Sequence, residues 1–223
     1  MPCVIVVGLP RSGTSATAGV IHKLGVDMGD DLMPPSPLYN PKGFYEDLDF
    51  TRIHDALLMG RHRDPDITAK TDDPELWKSY TEMIRSRCWN KTLWGVKDPK
   101  TCFLLPQFLD RLPTFYPATI VLVNRPFDKV VRSYSKLWGG MTLDQALLRV
   151  SRYQYAMFMN IEEVRTHKNV YKIHTVDYDE MTEQPRASIK KLAQALNLPF
   201  TESAVQFFDS RLNHSHPPRS EKP

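Results

Sequence analysis

The chain has 223 residues, 41% of them hydrophobic and 25% charged, enough for one α/β domain with a sizeable core and too few for two full domains. A net charge of +3, with no long basic run, is too mild for a nucleic-acid binder and suits an anionic small ligand. The three cysteines, Cys3, Cys88 and Cys102, have neither the spacing of a disulfide framework nor that of a zinc knuckle. They read as reduced thiols of a cytoplasmic protein. The apolar run Cys3–Val7 is far too short for a signal peptide or a membrane span, and no other stretch approaches spanning length.

In chain order, Cys3-Val4-Ile5-Val6-Val7 before Gly8 predicts a strand buried on both faces. After a loop, Ala16, Val20, Ile21 and Leu24 fall at helical spacing over Gly13–Leu24, and Gly25 stops the helix. Asp30–Gly43 is rich in Pro, Asp and Gly and predicts an irregular loop. Helices are expected over Asp49–Leu58 and Pro74–Arg87, with a polar, mobile stretch Gly60–Asp73 between them. Thr92–Val96 is a second strand, Phe103–Leu112 a helix bent at Pro106, and Thr119–Val123 a third strand running into a helix that ends near Trp138. Thr142 and Gln145 have the spacing of a capping box ahead of the helix carrying Leu143, Ala146, Leu147, Val150, Met157, Ile161 and Val164. Val170–Thr175 is a fourth strand, Pro185–Leu196 a helix with Pro in its first turn, and a last helix follows Thr201. Short apolar strands alternating with longer helices predict a three-layer α/β fold, a parallel sheet flanked by helices on both faces. Ligands of such sheets sit beyond the carboxyl ends of the strands.

Two motifs fall there. Gly8-Leu9-Pro10-Arg11-Ser12-Gly13-Thr14-Ser15 has the frame of a nucleotide P-loop, with Thr14 where the lysine belongs. Its glycines let the backbone wrap an oxyanion, and the start of the following helix favours negative charge. The missing lysine argues against an ATPase, and Arg11 supplies a cation instead. Thr119–Val123 ends in Asn124-Arg125 and not in an acid that would hold Mg²⁺, so a donor that needs no bridging metal fits better. The second motif runs from Arg125-Pro126 to Ser133, an arginine fork and a hydroxyl suited to a terminal phosphate.

Together the two motifs resemble the sulfotransferase superfamily that uses 3′-phosphoadenosine 5′-phosphosulfate (PAPS). Further segments are similar to its bacterial branch: Gly25-Val26-Asp27-Met28-Gly29, Asn40-Pro41-Lys42-Gly43-Phe44-Tyr45-Glu46 and Trp94-Gly95-Val96-Lys97-Asp98-Pro99-Lys100. The likeness implies a P-loop-type single domain over residues 1–213; the polar, Pro-rich composition of 214–223 predicts a disordered tail. It implies that Pro10, Arg11, Ser12, Gly13, Thr14 and Ser15 bind the phosphosulfate end, and that Arg125 and Ser133 bind the 3′-phosphate. The product would be 3′,5′-adenosine bisphosphate (PAP), with no metal. Two features depart from the family: Ala16 stands where some members carry a tryptophan stacked on adenine, and the basic segment near the C-terminus of cytosolic members is not evident, Arg211 being the candidate substitute.

Sulfuryl transfer needs positioning and charge stabilisation, by analogy with loose phosphoryl transfer. Arg11, the loop N–H groups and Lys97 are placed to neutralise the donor. The resemblance makes Glu46 the expected base. Asp98 is the alternative, weakened by a neighbouring cation that would lower its pKa, and His54 and His62 are further candidates. Trp77, Trp89, Trp94 and Trp138 are expected as core or cleft walls, and Asp30–Asp73 as the shaper of the acceptor pocket. The acceptor is a hydroxyl or amine of a small molecule or glycan, with neither nucleic acid nor a membrane span as partner. Two other readings stand beside the enzyme: a non-catalytic PAPS or PAP binder, and an ATP-dependent small-molecule kinase.

Overall fold

The architecture follows from which way each strand residue points. In the computed structural model, residues 2–37, 39–58, 70–137 and 141–208 are described. Among them, β1 (Cys3–Gly8), β2 (Trp94–Lys97), β3 (Ala118–Asn124) and β4 (Val170–Asp177) form one all-parallel sheet in the order β2-β1-β3-β4. Every residue of β1 is buried. Because strand side chains alternate, Cys3, Ile5 and Val7 enter one core and Val4 and Val6 the other. The first core is completed by α2 (Leu48–Leu57), α3 (Pro74–Asn90), α4 (Thr101–Arg111), α5 (Phe127–Ser135) and α6 (Leu143–Val164). The second is completed by α1 (Thr14–Lys23), α7 (Tyr178–Glu183), α8 (Pro185–Ala195) and α9 (Glu202–Phe207). This gives the three-layer α/β fold expected, with each fully buried aliphatic chain contributing about 1.5–3 kcal/mol.

Most helix starts are satisfied by their own side chains. Asp47 accepts from Asp49 N at the head of α2, and Asp73 accepts from Glu75 N and Leu76 N at the head of α3. The capping box forms as its spacing predicts: Gln145 N donates to Thr142 Oγ1 at 3.2 Å and Thr142 N donates to Gln145 Oε1 at 3.0 Å. Helix α1 is the exception that matters for function. Its N-cap is Gly13, in the left-handed region at φ 98°, with no side-chain cap. Its first N–H groups, on Thr14, Ser15 and Ala16, therefore have no intrahelical acceptor.

Several boundaries differ from the sequence expectation, two of them by enough to matter. Helix α4 starts at Thr101, where the Asp98 carbonyl accepts the Thr101 N–H at 2.9 Å. It continues through Pro106, which has no N–H to give the Cys102 carbonyl; that carbonyl accepts from Asn160 Nδ2 of α6 at 2.6 Å instead. Strand β4 runs on to Asp177 and passes straight into α7, a helix that the pattern does not announce. Trp94 lies in the core and Trp77 packs partly against it, but Trp89 is exposed, contrary to expectation. Trp138, His62, Arg211 and the 214–223 tail lie outside the described residues, as does most of Gly60–Asp73. No helix among the described residues is long and apolar enough to cross a membrane.

Candidate active site

All four strands deliver functional groups at their carboxyl ends, the edge where ligands of open α/β sheets bind. Gly8 opens the loop into α1, Lys97 closes β2, Arg125 follows β3 and Tyr178 follows β4. The parallel pairing of β3 with β4, which aligns Asn124 with Asp177, brings the last two together.

The loop begins with a turn in which Ser12 N donates to Leu9 O at 3.0 Å. Pro10 occupies its second position and Arg11 its third, with φ 72°. That is the type II pattern, where glycine is usual at the third position. Holding a non-glycine residue there costs about 1–3 kcal/mol, and it directs the guanidinium at the site. Arg11 Nε donates to Ser133 Oγ of α5 at 3.3 Å, and Arg125 Nη1 donates to the Arg11 carbonyl at 2.8 Å. The loop and the second motif are thus bonded to one another. Burial, then the neighbouring Arg125, lowers the pKa of Arg11; burial likewise lowers that of Arg125. Two guanidinium groups side by side with weakened hold on their protons make a site that gains from a bound anion.

Two residues that sequence reasoning missed, Tyr178 and Asp179, complete this end. The Tyr178 ring lies against Gly13, so close that a Cβ on the glycine would come within 2.1 Å of it. The same ring faces the Arg125 guanidinium at 5.2 Å. Asp179 accepts from Lys129 at 2.6 Å and stands 3.9 Å from Arg125 Nε. The Ser12 hydroxyl is buried and has no hydrogen-bond partner among the described residues. The pocket in front of the loop is lined by Arg11, Gly13–Ala16, a strap over residues 39–43, Arg125, Ser133, Tyr178, Phe207 and Phe208. Part of the predicted irregular loop does face the cleft, therefore, and Lys42 ties the strap to α9 by donating to the Phe207 carbonyl. Thr14 and Ser15 line the pocket; Pro10, which shapes the turn, and the buried Ser12 do not.

Glu46 and Lys97 form a buried ion pair, and Lys97 Nζ also donates to Ser15 Oγ at 3.0 Å. The pair adjoins the pocket through Ser15. Burial raises the pKa of Glu46, with Lys97 as the largest opposing influence. Asp98 points the other way. Its fully buried carboxylate meets His54 Nδ1 at 3.0 Å, and His54 Nε2 meets Tyr80 Oη at 3.0 Å. Burial alone would raise the Asp98 pKa, but Lys100 and the bond from His54 outweigh it and hold the carboxyl at about 2. The cation acting on Asp98 is Lys100, not the adjacent Lys97. Asp98 and His54 are both sealed from solvent in one hydrogen-bonded chain. That environment gives neither access to a substrate proton.

The fold is an α/β sheet whose β1–α1 loop and strand ends gather cations around an open pocket. The chain belongs to the Sulfotransferase family, whose sequence pattern matches residues 2–202. No curated protein matches the sequence. Among solved structures it is similar to the sulfotransferase domain of the Synechococcus PCC 7002 olefin synthase (16% identity over 94% of this chain and 78% of that one, TM-score 0.56). It is also similar to sulfotransferase STF9 from Mycobacterium avium (16% identity, 96% and 68% covered, TM-score 0.52). A third is the sulfotransferase domain from the curacin biosynthetic pathway (15% identity, 94% and 78% covered, TM-score 0.51). At these identities the likeness is one of fold.

Proposed function

We propose that this protein is a PAPS-dependent sulfotransferase acting on a hydroxyl or amine acceptor, a small molecule or glycan. The observation that carries the reading is the joined cation cluster. Half-buried Arg11 and buried Arg125 stand side by side, bonded to Ser133 and to the loop backbone, in front of a helix start without a side-chain cap. A ligand with phosphates at two places fits this arrangement.

In this reading Arg125 and Ser133 hold the 3′-phosphate, and the loop Pro10–Ser15 holds the phosphosulfate. Phe207, Phe208 and Tyr39 supply the apolar lining that the small Ala16 leaves wanting. When bound, PAPS supplies the sulfuryl group. Arg11 and the N–H groups of Thr14 and Ser15 neutralise charge that accumulates at the leaving phosphate, and Lys97 approaches the same place through Ser15. Glu46 takes the proton of the acceptor; burial raises its proton affinity towards what a general base needs. Asp98 acts as a positioning residue, its carboxylate capping Lys100 N at 2.8 Å and so fixing the turn after Lys97.

The test is calorimetric titration of PAP, with ATP–Mg²⁺ as comparison and Arg125→Ala as control. Micromolar PAP binding, weakened about tenfold or more in the variant, is expected. Absent PAP binding, with ATP–Mg²⁺ bound instead, would overturn the reading in favour of a kinase. If PAP binds, Glu46→Gln separates enzyme from binder. Affinity should survive while transfer to a responsive acceptor falls about 10²-fold or more.

A further inference from the structure

Helix α6 carries an apolar face that none of the described residues covers. Leu143, Leu147, Leu148, Tyr155, Phe158 and Met159 are between 45% and 64% exposed, and at 3.6 residues per turn they fall within about 160° of the helix circumference. The opposite face is fixed inward. Ala146, Val150, Tyr153, Ala156, Ile161 and Val164 are buried, Tyr153 packs on Phe103 of α4 at 4.7 Å between ring centroids, and Asn160 holds the carbonyl that Pro106 frees. The exposed face therefore cannot turn into the core. Six side chains of about 200 Å² each, a little over half exposed, present on the order of 650 Å² of mainly apolar surface. That exceeds the largest patch of a typical monomer, about 300–600 Å², and approaches the roughly 800 Å² per partner of a stable interface.

The order of residues on this face says what fits it. Leu143, Leu147, Ser151, Tyr155 and Met159 form a single row at steps of four, large-large-small-large-large about Ser151. A two-fold axis through Ser151 that sets two such helices antiparallel places Leu143 against Met159 of the other copy, and Leu147 against its Tyr155. The half-buried Ser151, the one small residue of the row, lies where the helices come nearest. Self-complementarity about an axis is the requirement of an isologous dimer. The axis also sets Asp144 beside Phe158 of the other copy, at the exposed edge of the contact where the carboxylate must keep its water. A lipid surface fits less well still, because Asp144 and Glu162, the latter paired with Arg165, share this face and an interfacial helix is rich in Lys and Arg there. We propose that this protein is a homodimer joined through α6 about a two-fold axis at Ser151.

Sedimentation equilibrium of the full chain from about 1 to 100 µM tests it. Wild type should be a dimer within that range. Leu147→Glu and Tyr155→Glu, each on an exposed position, should raise the dissociation constant about thirtyfold or more with little change in melting temperature. The sharper arm is the double variant Leu147→Glu/Tyr155→Arg. Its two new charges are eight residues apart on one helix but face each other across the axis, so dimerisation should recover relative to either single variant. A wild type that stays monomeric would overturn the proposal, as would a dimer indifferent to both single substitutions or a double variant that recovers nothing. A monomer that co-sediments with anionic phospholipid vesicles would assign the face to a lipid surface instead.

Discussion

Lys97→Met keeps the length of the side chain and removes its charge. Lys97 is 3% exposed and Glu46 10%, so the substitution leaves a carboxylate in a nearly dry site. Breaking a buried pair in this way costs about 3–5 kcal/mol. For a chain of this length that is a fall in Tm of about 6–11 °C, from an unfolding entropy near 2.1 cal/mol/K per residue. The deficit should depend on pH. Burial already raises the Glu46 pKa, and Lys97 is the chief influence holding it down, so removing the lysine raises it further. A carboxyl whose folded pKa lies above its unfolded value binds a proton more tightly in the native state. Its destabilisation is then absent below the unfolded pKa and grows as pH rises through the folded one. Calorimetric melting should accordingly show a large deficit at pH 8 and less than about half of it at pH 5. Glu46→Gln added to Lys97→Met should return much of the loss, because no charge remains buried. A Lys97→Met protein melting within about 2 °C of wild type at both pH values would mean that Glu46 is solvated. Glu46 would then lack the raised proton affinity that a base at this place needs.

Two further outcomes follow from the packing. Gly13→Ala sets a Cβ against the Tyr178 ring at a φ of +98°, whereas Gly25→Ala at φ +104° meets nothing within 4 Å. Gly25→Ala should therefore cost only about 1 kcal/mol and spare PAP binding, while Gly13→Ala should cost more and abolish it; equal effects in melting and titration would refute the geometry of the loop. Burial pushes the thiols of Cys102 to about 12 and Cys88 to about 11, and raises Cys3 as well. N-ethylmaleimide at pH 7.5 should therefore label the native chain slowly and at half-buried Cys88 alone, and the unfolded chain at all three, as read by mass spectrometry. Fast native labelling of Cys3 or Cys102 would contradict the core.

The parts legible in sequence are those specified by neighbours along the chain. A β-branched run ended by Gly8, a helical spacing stopped by Gly25, and a Thr142/Gln145 pair three residues apart each carry their own signal, and each forms as written. What stays hidden depends on strand order. Tyr178 and Asp179 reach Gly13, Arg125 and Lys129 because β4 pairs with β3 in parallel register, and no periodicity states which strand lies beside which. Tyr178 and Asp179 also sit in a six-residue helix, too short for a 3.6-residue period to declare itself.

Lys97 and Asp98 show the same limit in two adjacent residues. Read along the chain, they are a cation and an anion that invite pairing. At the end of a strand, successive side chains leave on opposite faces, and so the two are separated by the sheet. Lys97 turns to Ser15 and Glu46, which a loop has carried back from 51 positions away. Asp98 turns to His54 and Tyr80 inside the first core. The side of the sheet thus decides the chemistry: one carboxylate stands next to the pocket with a raised pKa, the other is locked at about 2 where no substrate reaches it. If Glu46 is the base, Asp98→Asn should alter turnover only through the placement of Lys97, and its effect should be carried by Lys97 in a double-mutant cycle.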